Sequence, residues 1–327
     1  MSRYVAQRLL HTLLVLLGVS LLTFALIHMT PGDPVLVMLG TDATPGELDR
    51  LRHLLGLDQP LYVQYVQYVG HLATGQMGDS IFQHQPVSKL IGDRFPATVE
   101  LTVAAMTVAV IVGMLAGVIS AVMPYSIFDI SAMLLALAGV AMPVFWLGML
   151  AILLFSLQLG WLPSFGRGEP LIQGIQYWLR TGDPSDVVDS LRHLVLPALT
   201  LAAFSTALIS RLVRSSLLEV LGQDYVRTAR AKGIAQMPVI GRHALPNALI
   251  PVVTVIGLQV GTLLGGAVLA ETIFAWPGIG RLLIQAISQR DYPLVQGIVI
   301  VAALVVSLIN LAVDLLYAAI NPRVRYG

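Results

Sequence analysis

Two residues decide first what chemistry this chain can do. Lys89 follows Ser88, Lys232 follows Ala231, and no other lysine occurs in the 327 residues. A phosphate-cradling loop needs a Gly-Lys pair closing a glycine-rich run, so the sequence contains no P-loop with which to hydrolyse ATP. Neither a G-x-S-x-G elbow nor an H-E-x-x-H helix is present, and no catalytic residue is expected. The seven histidines, at 11, 28, 53, 71, 84, 193 and 243, never pair at i, i+4, and cysteine is absent. No local metal-ligand spacing exists, and thiolate chemistry is excluded. We therefore expect no catalytic, cofactor-binding or metal-binding site.

What remains is one charged interruption between two apolar segments, Asp224 to Pro246, DYVRTARAKGIAQMPVIGRHALP. Asp224 can act as N-cap for a helix over Tyr225–Lys232, and Gly233 is placed to end it in a left-handed turn. Arg230 and Lys232 then fall in the last turn, where the negative end of the helix dipole favours cations. A second short helix is expected from about Pro238 to His243, with Leu245-Pro246 leading into the next apolar run. The expected shape is helix, glycine elbow, helix, projecting from a membrane into the cytoplasm.

The elements that hold this stretch follow from composition. The chain is 56% hydrophobic and 11% charged, against about 25% charged in an average soluble domain. Its mean hydropathy is +0.80, and a net charge of +1 gives no basic surface for nucleic acid. Apolar runs predict an all-α polytopic membrane protein with six transmembrane helices. They cover Leu9–His28, Leu101–Met123, Ile130–Leu159 with a kink at Pro143, a fourth beginning over Leu194–Ser210, Leu249–Ala270, and Val295–Ala319. The first follows Arg3 and Arg8 as a signal peptide would, but it is too long and lacks a small-x-small cleavage site.

We divide the chain into residues 1–29, an extracytoplasmic insertion over 30–96, and a core over 97–327 that carries five of the spans and the loop 215–246. The insertion opens with Pro31-Gly-Asp-Pro34. Thr44-Pro45-Gly46-Glu47 has capping-box spacing for a helix through Leu55. A further helix from Pro60 should place Tyr62, Tyr65, Val66 and Val69 on one face. A second external segment, Pro163 to about His193, carries Asp183, Asp186 and Asp189 and reads as a solvated loop. Basic residues near helix ends, among them Arg3, Arg8, Arg211, Arg214, Arg227, Arg230, Lys232, Arg242, Arg323 and Arg325, place both termini and the loop inside. The expected location is a membrane, multi-pass.

Polar side chains within spans usually face a bundle interior or cavity. Ser205, Thr206, Gln259, Asn310 and Asp314 are the candidates for a translocation path or for helix-to-helix hydrogen bonds. Gly257, Gly261 and Gly265 recur every four residues and form a face for close helix packing.

Arg227-Thr228-Ala229, then Gly233, then His243-x-Leu245-Pro246 resembles the E-A-A-x3-G-x9-I-x-L-P loop of inner-membrane permeases in binding-protein-dependent ABC importers. Arg227 replaces the family's Glu, and His243 its Ile. RTARAKG with RHALPNALIP is similar to the dipeptide and oligopeptide branch, as are GLDQP at Gly56–Pro60, GQMGDS at Gly75–Ser80, Glu271–Gly280, Arg290–Pro293 and the end at Asn321–Tyr326. The resemblance implies a permease subunit resembling the first of two, forming half of a pathway. It implies a heterodimer with a second homologous permease, two ATP-binding subunits that bind ATP and Mg, and an extracytoplasmic substrate-binding protein, all at the lipid bilayer. Dipeptides or short oligopeptides are the implied substrates, with nickel or glutathione as alternatives. A different class, an autonomous secondary transporter or channel, would place coupling ionisable groups deep in its spans or show inverted repeats with broken helices.

Overall fold

The computed structural model describes residues 2–29, 35, 44–54 and 56–320, and among these no strand forms. The expected features at Pro31–Pro34, Leu55 and Asn321–Tyr326 lie outside the described residues. Twelve helices are used below: α1 Ser2–Met29, α2 Pro45–Leu54, α3 Leu61–Ala73, α4 Val87–Val122, α5 Ile127–Ala141, α6 Val144–Ala151, α7 Leu171–Thr181, α8 Ser185–Leu221, α9 Asp224–Ala231, α10 Leu245–Ile273, α11 Ile279–Gln289 and α12 Tyr292–Ile320. Five are long and apolar enough to cross a membrane, or up to six spans if α5 and α6 are one broken span.

The described residues divide into two compact units, one within Ala97–Pro277 and Ala312–Val324, the other within Met1–Pro96 and Gly278–Leu311. The core of the larger unit is a face of α4 on which Ala97, Leu101, Ala105, Ala109, Gly113, Gly117 and Ala121 recur every four residues, all of them buried. Lipid tails are as apolar as the side chains, so close backbone approach rather than hydrophobic expulsion drives such contacts. A Cβ added at Gly117 would lie 2.6 Å from the Ser210 carbonyl and 2.7 Å from Val213 Cβ, so α8 leaves no room there for a side chain.

Two sequence boundaries move. The second span begins at Val87, not Leu101, and α4 runs through Pro96. The segment expected as a solvated loop over Pro163–His193 contains α7 and the first turns of α8, which runs through Pro197 and is 37 residues long. Proline as a helix boundary holds in water, whereas inside a bundle neighbouring groups can satisfy the carbonyl it frees. The expected kink at Pro143 is present, as a sharp break. Met142 is extended (φ −88°, ψ 132°), as the residue before a proline prefers, and α5 and α6 bend by 112° around Met142-Pro143.

In the smaller unit, Val87, Leu90 and Ile91 pack with Ile279, Leu282, Ala286, Leu294 and Ile298. The fully buried Asp291 accepts hydrogen bonds from Ser80 Oγ at 2.5 Å and from the backbone N–H groups of Ile81, Phe82 and Leu294 at 3.3–3.4 Å. α2 starts as expected, with the Glu47 carboxylate accepting from the Thr44 N–H at 2.9 Å and its hydroxyl at 2.7 Å. The face expected on α3 is only half correct. Tyr65 packs toward α1, joined by Tyr68, while Tyr62 and Val66 are exposed.

Candidate functional site

The 224–246 stretch folds as an elbow. α9 covers Asp224–Ala231 with Gln223 at the N-cap, so Asp224 sits inside the first turn and is not the cap. Its carboxylate still favours the positive end of the dipole and lies 3.6 Å from Arg227 on an exposed surface. Gly233 has φ +78°, the left-handed conformation that glycine adopts without strain. Its N–H donates to the Arg230 carbonyl at 2.9 Å, and the Ile234 N–H donates to the Ala229 carbonyl at 3.4 Å. Those two bonds make a Schellman motif, which closes α9 and fixes the direction in which the chain leaves it.

Beyond the elbow the expected separate helix is absent. A turn over Gln236–Pro238 and π-type turns over Val239–Ala244 run directly into α10, with Pro246 in its first turn. The wider turns are a single local defect in an otherwise continuous rod, a form common at functional positions.

Underneath, Val226, Ala229 and Val239 are buried together against Val220 and Leu221 of α8. Ile240, Ala244 and Ala248 pack with Ala121 and Leu217. The Asn247 amide donates to Tyr225 Oη and to the His243 carbonyl, both at 3.0 Å, and Tyr225 Oη donates to the same carbonyl at 3.4 Å. α9 is thereby tied to the start of α10, and the elbow is seated on the rest of its unit as one body. Facing away are Arg227, Thr228, Arg230, Lys232, Gly233 and Pro246, all exposed, with Met237 76% exposed. Ala229, by contrast, belongs to the seat, and His243 and Leu245 are half-buried. The outer surface is cationic with an apolar tip.

The proposed polar path residues differ in burial. Ser205 is fully buried and Gln259 is 5% exposed, and the Ser205 hydroxyl and the Gln259 Nε2 lack hydrogen-bond partners among the described residues. Thr206 is half-buried, Asn310 is exposed, and Asp314 is half-buried one turn further along α12. Of the glycines, Gly257 meets α12 closely: a Cβ there would lie 2.8 Å from Val313 Cγ2 and nearer still to Cγ1. Gly265 has nothing within 4 Å of such a Cβ and is exposed, and Gly261 is half-buried.

Two polar groupings escape a sequence reading because their members are far apart in the chain. Arg214 grips Asp129 through two bonds, Nε to Oδ1 at 2.6 Å and Nη2 to Oδ2 at 2.7 Å, tying the start of α5 to α8. Near the start of α8, Arg167 pairs with Glu100 and lies 5.8 Å over the Trp276 ring. Trp276 Nε1 donates to the Ala97 carbonyl at 2.8 Å, and Thr98 donates to the buried Glu271 at 2.6 Å. The only sequence signal for either was an ion inside an apolar segment. Among the described residues no group of three or more His, Asp or Glu could hold a metal ion.

Comparison with known proteins bears on this geometry. The chain matches the model of the binding-protein-dependent transport system inner membrane component over residues 90–326, and that family's N-terminal model over residues 1–102. It is 50% identical to the di/tripeptide transport system permease protein DppB of Pseudomonas aeruginosa, covering 100% of this chain and 99% of the relative. It is 46% identical to the dipeptide transport system permease protein DppB of Escherichia coli (100% and 99%) and 44% identical to the glutathione transport system permease protein GsiC of Escherichia coli (100% and 100%). The fold is that of a chain in the MetNI methionine ABC transporter, with a TM-score of 0.55 and 19% identity over 71% of this chain and 96% of that one.

Proposed function

The chain belongs to the binding-protein-dependent transport system inner membrane components, and on that premise we propose that it is the permease subunit through which an ATP-driven importer passes dipeptides or short oligopeptides. It forms half of the pathway, and a second homologous permease supplies the rest as a heterodimer. Two ATP-binding subunits carry ATP and Mg, a substrate-binding protein delivers the peptide from outside, and this chain itself holds no cofactor. The N- and C-termini and the elbow lie in the cytoplasm, and the insertion over 30–96 begins on the opposite side.

One observation carries the reading: a surface elbow closed by a left-handed glycine, rigidly seated below, and cationic with an apolar tip above. Such a bracket transmits a displacement without making chemistry of its own. The ATP-binding subunits move it, and α8 and α10 move with it because the seat joins them.

Reconstitution tests this. The purified chain alone should neither hydrolyse ATP nor move solute, and the assembled importer with its binding protein should take up labelled dipeptide in an ATP-dependent way. Uphill uptake by the chain alone would overturn the proposal in favour of a secondary transporter. Competition of dipeptide uptake by glutathione or by nickel decides between those substrate classes.

A further inference from the structure

The helix α3 carries no Asp, Glu, Lys or Arg in its 13 residues, LYVQYVQYVGHLA. α2, only six residues before it, is rich in charge at Glu47, Asp49, Arg50 and Arg52. The two belong to different surroundings. On α3, Leu61 is 57%, Tyr62 73% and Val66 67% exposed, an apolar strip that no part of the described chain covers.

The opposite side of α3 is hydrogen-bonded into a transmembrane helix. Tyr65 Oη lies 2.9 Å from Ser20 Oγ and donates to the Leu17 carbonyl at 3.3 Å. Phe24 packs edge-on to Tyr65 at 5.4 Å and stacks with Tyr68 at 6.0 Å, and His28 Nε2 meets Gln64 Oε1 at 3.1 Å. The apolar stretch of α1 runs at least from Gln7 to Ala25, so Ser20 and Leu17 lie at least five and eight residues inside its end. At 1.5 Å per residue that is about 8 and 12 Å below the edge of the hydrocarbon, where half a bilayer core is about 15 Å. Tyr65 therefore reaches the depth of the acyl chains, and its hydroxyl is satisfied there by Ser20 and Leu17 as a polar group in lipid must be.

We propose that Leu61–Ala73 is embedded in one leaflet of the bilayer, with Leu61, Tyr62 and Val66 against acyl chains. At about 20 Å in length the helix is shorter than a span, so it enters and leaves on the same side. Its exposed strip continues the lipid-facing surface of α1, where Leu14, Leu21 and Leu22 are 58, 53 and 64% exposed. The expectation that all of residues 30–96 sit outside the membrane is replaced, for α3, by a monotopic anchor. The depth follows from the contacts with α1 alone; only the name of the leaflet, the outer one, rests on the topology proposed above.

The absence of cysteine makes the test direct. Single variants Leu61→Cys, Tyr62→Cys and Val66→Cys in the full importer, reconstituted in nanodiscs, carry a nitroxide whose collisions with oxygen and with a water-soluble nickel chelate are compared. Leu22→Cys on α1 is the lipid standard and Asp49→Cys on α2 the water standard. The expected oxygen-to-nickel ratio at the three positions is that of Leu22→Cys, several-fold above Asp49→Cys. A ratio equal to that of Asp49→Cys, or low collision with both reagents because protein covers the strip, overturns the proposal. Either result leaves the transport reading untouched, since ATP-dependent uptake is measured separately on the same samples.

Discussion

Replacement of Gly233 separates two ways in which the elbow can act. No atom lies within 4 Å of a Cβ built there, so within this chain the cost of a side chain is purely conformational. At φ +78° an L-residue other than glycine costs roughly 1–2 kcal/mol, which shifts the balance between intact and distorted elbow by about 5–30-fold. Relief of that strain gives up the Gly233 and Ile234 bonds that close α9 and turns the chain into the 236–244 segment at a new angle. Asparagine tolerates the left-handed region far better than alanine, and valine, branched at Cβ, tolerates it least. ATPase activity of the assembled importer, measured with and without loaded binding protein, should therefore lose stimulation in the order Asn, Ala, Val, with Gly233→Asn close to the parent. Asparagine is larger than alanine, so the order also tests cause. If Gly233→Asn is worse than Gly233→Ala, bulk against the partner matters and backbone conformation does not. If Gly233→Val retains full stimulation, the elbow is not the element that transmits force.

Further outcomes follow from other contacts. Removing Asp129 strands Arg214, whose side chain is only 24% exposed; Asp129→Ala should lower the unfolding free energy in nanodiscs by about 2–3 kcal/mol, less than a fully buried pair would, and Asp129→Leu with Arg214→Met should recover most of it. Gly257→Ala drives a methyl into Val313 and should cost about 1–3 kcal/mol by overpacking. Gly265→Ala enters open space and should leave the chain's stability unchanged; lost co-purification with the second permease would then place Gly265 at that interface. His53 and Asp58, exposed and 2.7 Å apart, tie the turn that follows α2. Their mutual hydrogen bond raises the His53 pKa above 6.5 and lowers the Asp58 pKa below 3.8. The histidine's contribution is complete below 6.5 and fades as pH rises through its raised value, whereas the aspartate's is complete above 3.8 and fades on acidification. Protection of the Gly56 and Leu57 amides, taken relative to their intrinsic exchange rate at each pH, should be greatest between about pH 4 and 6.5, and His53→Gln should flatten that profile.

The elbow was legible in the sequence because glycine is the residue that takes a left-handed backbone angle without strain, and Gly233 stands at the end of a helix-favouring run. Its seat was less so: Val226, Ala229 and Val239 show only as apolar residues in a charged stretch, and Asn247, which clasps Tyr225, lies beyond the motif altogether. The spans were placed by hydropathy, but the starts expected at Leu101 and Leu194 came too late: the helices begin at Val87 and Ser185 and run through Pro96 and Pro197. α7 was missed because the acids at Asp183, Asp186 and Asp189 outweighed the apolar strip of LIQGIQYWLRT. The longest small-residue ridge, Ala97 to Ala121 on α4, carries the same four-residue signal as Gly257 to Gly265, yet alanine is so ordinary in a helix that the repeat announces nothing until α8 is seen lying along it.

The depth of α3 marks a deeper limit. The sequence puts the helix from Pro60 in an insertion outside the membrane, and no periodicity can show that Tyr65 finds its partners at Ser20 and Leu17. Hydropathy scores each segment as though it stood alone in its solvent, whereas a polar side chain in lipid is tolerated because of a particular group on another helix. The placement of α3 is therefore a tertiary fact from the start. The same reasoning explains why the elbow could be read and the pathway could not: a turn is specified by its own residues, and a cavity is specified by the helices that agree to leave it.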